Sequence, residues 1–234
     1  MDLRKPRRLA AIAALCSSAF LASQANAVTL SFDDLATAGF GLGSVPSSYG
    51  GLDFSCLGST SCSVVNVSTY GGNPSGYQGA VVSGLNVLST GFGTNSASSL
   101  LTLTRTGGGQ FSFVSAYFTG AWRDGLEIDV TGLNGAAIVA STSFTLGAAG
   151  VKLLETFNWA NLTSVRIAPS GGTASSTYRF SDIPVVAIDD LIYTAAIAAV
   201  PEPSTIALLG LGSLATLLTA WRREKKSAFR HGHA

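Results

Sequence analysis

Between residues 28 and 194 the chain alternates apolar and polar positions in short runs, broken by Gly, Ser, Asn and Pro. Alternation at period two sends successive side chains to opposite faces of a strand. The clearest run is 110–118, where Phe111, Phe113, Ser115 and Tyr117 share one face and Ser112, Val114, Ala116 and Phe118 the other. Both faces are apolar enough for a central strand covered on each side. Gly107-Gly108-Gly109 before it reads as a turn whose glycines allow positive φ, with 100–104 as the partner strand of a hairpin. Further strands are expected at 28–32, 63–67, 126–130, 137–144, 162–167, 177–180 and 185–193. The window 151–157 fits a short helix and a strand equally well. About ten short strands joined by Gly- and Ser-rich loops predict an all-β domain, a β-sandwich with jelly-roll topology. Pro184 belongs at a strand end, because proline breaks a central ladder.

Both ends depart from this pattern. Arg4, Lys5, Arg7 and Arg8 precede an apolar run from 9 to 21 and the A-x-A triplet Ala25-Asn26-Ala27. That order predicts a cleaved signal peptide over 1–27 and a mature domain over 28–195. A linker over 196–203 contains Val200, Pro201, Glu202 and Pro203. The next eighteen residues, 204–221, carry no charge. As a helix they span roughly 27 Å, close to the hydrocarbon thickness of a bilayer. Trp221 stands at the interface position, followed by a basic tail, 222–234, with Arg222, Arg223, Lys225 and Lys226. Basic residues remain cytoplasmic, so this order anchors the domain on the outer, periplasmic side of the inner membrane.

Separating the ends changes the charge picture. The whole chain has a formal net charge of +1, but residues 28–200 hold ten acids and five bases, a net −5. Five scattered bases make no stripe along a phosphate backbone, which excludes a nucleic-acid partner. The two histidines are His231 and His233. The domain therefore lacks the imidazole of Ser-His-Asp and Cys-His catalysis and of histidine-bound zinc. A hydrolase needs only two carboxylates, and the domain's glutamates are Glu127 and Glu155, of which Glu127 reads as one residue of a solvated strand face. A non-enzymatic role is expected. Cys56 and Cys62, spaced C-x5-C, predict a small disulfide-closed loop in an oxidising compartment.

Two binding chemistries remain. Ser31-Phe32-Asp33-Asp34 opens the domain and Ile188-Asp189-Asp190-Leu191 closes it. If these strands pair, Asp33 and Asp190 gather near one another as a structural calcium site, the sole cofactor anticipated. Exposed aromatic rings bind sugars, and Trp122 at a strand end, with Tyr70 and Tyr77 beside glycines, are the candidate glycan platform.

The Val200-Pro201-Glu202-Pro203 motif, the uncharged segment and the basic cluster together resemble the PEP-CTERM sorting signal of exopolysaccharide-producing Gram-negative bacteria. The same region is also known as an ice-binding protein C-terminal domain, but Thr102 and Thr104 alone are too short a ladder for an ice face. The resemblance covers about residues 198–226 and implies processing by an exosortase-like transpeptidase, with Glu202 and its prolines as the recognition element. It implies a surface or biofilm-matrix protein, with a carbohydrate-binding module for exopolysaccharide as the alternative and a polysaccharide hydrolase third.

Overall fold

A computed structural model describes residues 26–57, 62–91, 99–178, 183–195 and 212–213. The chain divides into two compact units, 1–196 and 197–234. In the first unit the strands are β1 (Ala27–Leu30), β2 (Leu42–Ser44), β3 (Ser48–Tyr49), β4 (Leu52–Cys56) and β5 (Ser63–Asn66). A one-turn helix α1 (Tyr77–Ala80) precedes β6 (Asn86–Ser89), β7 (Leu101–Arg105), β8 (Phe111–Gly120) and β9 (Arg123–Asn134). The last four are β10 (Ala137–Thr145), β11 (Lys152–Leu162), β12 (Ser164–Ala174) and β13 (Val186–Ala195). In the second unit, Gly212 and Ser213 are helical and exposed.

The strands form two antiparallel sheets. One runs β11-β8-β13-β6-β5-β2 with β1 also on β13, and the other runs β10-β9-β12-β7-β4-β3. Alternation explains how they pack. In β9, Leu126, Ile128 and Val130 are fully buried while Glu127 and Asp129 are exposed. In β7, Leu101 and Leu103 turn inward, and in β12 Val165 and Ile167 do the same. These side chains meet Phe111, Phe113, Phe118, Ile188 and Leu191 of the first sheet in one core. Phe113 stacks on Phe157 at 4.5 Å between ring centroids.

A second, smaller core lies on the outer side of the first sheet. Tyr70, Tyr77 and Ala80, from the segment joining β5 to β6, pack with Val65, Val87, Ala187, Ala121 and Trp122. That segment is a lid over one half of the sheet's outer face.

Two sequence expectations change and one open reading closes. The face alternation expected for β8 slips by one at Ser115, so the core receives Phe111, Phe113, Ala116 and Phe118. Both neighbours of β8 bulge here, and β8 itself carries an extra residue, Val114, opposite the step from Ile192 to Tyr193. β13 inserts an extra residue between Asp189 and Ile192, and β11 does so between Thr156 and Trp159. Asp190 and Asn158, in these bulges, take positive φ of 44° and 51°, a conformation Asp and Asn tolerate better than most residues. The window 151–157, open between helix and strand, is strand from Lys152 onward. Thr177 and Tyr178, expected in a strand, are outside one.

Candidate functional site

The aromatic platform is corrected by the structure. Trp122 and Tyr77 are completely buried and Tyr70 is 3% exposed. Tyr77 meets Tyr70 edge-on at 5.4 Å and Trp122 edge-on at 5.7 Å. Burial pushes the Tyr70 phenol up to about 12 and raises that of Tyr77 as well, although a 2.8 Å hydrogen bond joins the Tyr77 and Ser89 hydroxyls. The glycines beside these rings explain the error. A Cβ on Gly76 or Gly79 would overlap the carbonyl oxygens of Gly120 or Gly150, so glycine here permits close packing of the α1 segment on the end of β8 and the turn before β11 rather than marking an exposed loop. As placed, the three rings are a core, with no face open to a sugar.

The paired-strand expectation holds, since β1 lies antiparallel on β13 with Leu30 opposite Leu191. Asp33 and Asp190 do converge, both accepting from the Ser83 hydroxyl at 3.5 and 2.8 Å. Their company is mostly backbone N–H. Asp33 Oδ1 accepts from Leu85 and Asn86 at 2.8 and 3.0 Å. Asp189, wholly buried, accepts from Val82 and Ser83 at 2.7 and 3.2 Å through Oδ2, and from Asp190 through Oδ1. A calcium shell needs six to eight oxygens turned to one point. Among the described residues no group of three or more His, Cys, Asp or Glu is placed to hold a metal ion. This donor set fits a clamp on the 82–86 turn and does not fit calcium. Gly84, at φ 52°, lets the turn approach, because a Cβ there would collide with the Asp33 carboxylate.

Cys56 and Cys62 form the expected disulfide, with Cα atoms 5.2 Å apart. Glu127 stands in β9 of one sheet and Glu155 in β11 of the other.

The candidate binding site lies on the outer face of the second sheet. Ser47, Asp53, Phe54, Ser55, Thr102 and Thr104 line a cleft of about 400 Å³ across β4 and β7, although Phe54 itself is buried in the core. Register builds this surface: Asp53 lies beside Thr104, Ser55 beside Thr102, and Thr102 beside Arg166 of β12. With Leu101, Leu103 and Ile167 buried, the alternate positions must face solvent. Asp53 is fixed by the Thr106 hydroxyl at 2.6 Å. The hydroxyls of Ser55, Thr102 and Thr104 and the Arg166 guanidinium have no partner among the described residues. The arrangement supplies donors and acceptors without a ring platform. The alternation Leu101-Thr102-Leu103-Thr104 was the available sequence signal, but ordinary solvated strands share it.

The predicted signal peptide, sorting residues, apolar segment and basic tail lie outside the described residues, apart from Asn26 and Ala27 at one end and Gly212 and Ser213 at the other. No helix among the described residues is long and apolar enough to cross a membrane. The C-terminal region is decided by comparison: residues 199–224 match the model of the PEP-CTERM protein-sorting motif. The chain carries a PEP-CTERM sorting motif. The match contains Val200, Pro201, Glu202 and Pro203 and extends through Arg222 and Arg223, while Lys225 and Lys226 fall just beyond it. A PEP-CTERM motif marks an exported, sorted protein. No curated protein matches the chain significantly in sequence. Similar solved structures include a DUF4465 family protein from Bacteroides caccae, 11% identical, covering 72% of this chain and 98% of that one, with TM-score 0.44. TmCBM61 in complex with β-1,4-galactotriose is 13% identical over 64% of this chain and 91% of its own, with TM-score 0.35. The K1 cleaved adhesin domain of Lys-gingipain from Porphyromonas gingivalis is 11% identical over 74% and 99%, with TM-score 0.30.

Proposed function

We propose that this chain is a non-enzymatic component of the cell surface or biofilm matrix, delivered through its PEP-CTERM motif. The observation that carries the reading is the match over residues 199–224. In this reading residues 1–27 direct export, 204–221 hold the chain in the inner membrane and Arg222 to Lys226 remain cytoplasmic. An exosortase-like enzyme then processes the chain at Pro201-Glu202-Pro203 and releases the domain to the exopolysaccharide. Cell fractionation tests it. Changing Pro201 and Glu202 to Ala should leave a larger, membrane-retained form in place of the processed one. Unchanged size and location would reduce the motif to a spacer.

The finer assignment of the sandwich as a jelly roll is supported by strand order. Across the eight strands β6 to β13, one sheet runs β6-β13-β8-β11 and the other β7-β12-β9-β10. Folding a long antiparallel hairpin of paired strands over itself generates that interleaving.

A second reading, direct contact with a polysaccharide, is favoured by the hydroxyl-lined cleft and the neighbouring Arg166. Hydrogen bonds from Thr102, Thr104 and Arg166 would hold sugar hydroxyls or carboxylates. Electrophoresis through gels containing the producing cell's exopolysaccharide should show retardation that Arg166→Ala with Thr102→Val removes. Equal retardation of both proteins would dismiss this cleft.

A further inference from the structure

The free edges of the two sheets are unequal. The first sheet ends in β11 and β2, with the four-residue β1 paired on one side only, to β13, and the second ends in β10 and β3. β2 has three residues and β3 two, too few to take up a partner strand. β11 is longer but guarded. It contains Lys152 and Glu155, and extra residues after Thr156 and after Trp159 bend it, with Asn158 and Asn161 at positive φ. Charges and bulges of this kind protect natural strand edges. β10 lacks the charges, and its irregularity is confined to its start.

The nine residues Ala-Ile-Val-Ala-Ser-Thr-Ser-Phe-Thr of β10 include no charge, no proline and no glycine. The register with β9 shifts once, between Ile138 and Ala140, and then continues unbroken to Thr145. Ile138 and Val139 are 66% and 52% exposed. Alternate residues of an end strand turn their N–H and C=O outward. Among the described residues nothing pairs with that side of β10. The surface therefore selects an extended backbone, and a neutral one is as welcome as any.

We propose that the occupant is β10 of a second copy, antiparallel across a two-fold axis at Thr142. This pairing sets Thr142 against Thr142, Ser141 against Ser143 and Ala140 against Phe144. Ala140 and Phe144 lie beside Gly132 and Ile128 of β9, on the face turned to the core, so a small residue meets a large one there. β-Branched residues meet at the axis, and no like charges oppose one another. The same two-fold closes the assembly, because each copy uses the same edge. Pairing β10 with β11 of the next copy would propagate a filament, and the charges and bulges of β11 oppose that route. The inference is independent of how the chain is sorted.

Site-directed cross-linking of the full chain in mild detergent tests it, in a Cys16→Ser background. Cys56 and Cys62 are joined to each other, so an introduced cysteine is the single free thiol. Thr142 and Thr156 are both exposed, on β10 and β11. Under mild copper-phenanthroline oxidation, Thr142→Cys should give about ten-fold more disulfide dimer than Thr156→Cys, because paired thiols meet at millimolar effective concentration. Adding Ser141→Lys and Ser143→Lys, which set lysine against lysine across the axis, should reduce that yield to the Thr156→Cys level. An unchanged urea midpoint certifies that the lysine variant is folded. Equal yields at the two cysteine positions, or a dimer that persists with the lysines, overturns the proposal. A two-chain mass by sedimentation without the Thr142 cross-link also overturns it, since another surface would then hold the copies together.

Discussion

Asp189 is the residue whose chemistry the fold alters most clearly. It lies fully buried in β13, and burial lifts its carboxyl from 3.8 to about 6. Three backbone N–H donors, from Val82, Ser83 and Asp190, pull the other way, and the Asp190 charge adds slightly to the rise. Desolvation wins. In the unfolded chain this carboxyl titrates near 3.9. Between about pH 4 and 6 the folded protein thus holds a proton that the unfolded chain has released, and stability falls as pH rises. The contribution is fully present below about pH 4 and is lost through pH 6, by at most about 3 kcal/mol. Urea midpoints measured from pH 4 to 7 should decline by that component, and Asp189→Asn should flatten it. An identical slope in the variant would mean that Asp189 is ionised throughout. The slope is the readout, because the amide also changes the clamp on residues 82–86 and will shift the absolute stability.

At the scale of elements, clear alternation mattered more than length: the four-residue β5 was expected, whereas the first half of the eleven-residue β11 fitted a helix equally well. The alternation of β9 and of β10 is strong enough to locate both, although β9 extends from Arg123 to Asn134 and beyond the expected 126–130. Two residues, Gly135 and Ala136, join them, and Gly135 takes the positive φ of 60° that a tight hairpin uses. β2, β3, β4 and β6 were missed because runs of two to five residues carry too little periodicity. Bulges defeated the face assignment in β8: extra residues lie in β13, in β11 and, at Val114, in β8 itself, and no residue type along β8 announces them. The candidate site divides in the same way. Pairing of the first and last strands could be read from their matching Asp-Asp segments, and the disulfide from cysteine spacing. The lid carrying Tyr70 and Tyr77 could not, because Gly next to Tyr suits an exposed loop and a close-packed one alike. Only the apposition of Gly76 and Gly79 with Gly120 and Gly150 decides between them.

Over the whole molecule, the last strand of the domain is also one of its most central. β13 pairs with β8 along most of its length, with β6 near its start and with β1 near its end. Val186, Ile188 and Leu191 are completely buried and Tyr193 nearly so. Burying each such side chain is worth about 1.5–3 kcal/mol, against a total stability of about 5–15 kcal/mol for a domain of this kind. Losing β13 would remove these four contributions and leave β8, β6 and β1 without their shared neighbour. A chain stopped after residue 184 should therefore show no cooperative urea transition and fall quickly to thermolysin. One stopped after residue 195 should unfold cooperatively. A cooperative transition in the shorter chain would show that the remaining strands close the core without β13. The sorting match begins at residue 199, four residues beyond the end of β13 at Ala195. The segment that completes the fold and the segment that carries the address are thus nearly continuous. Because β1 pairs with β13, the fold can close only once the chain extends to Ala195, so the domain is complete just short of the sorting motif.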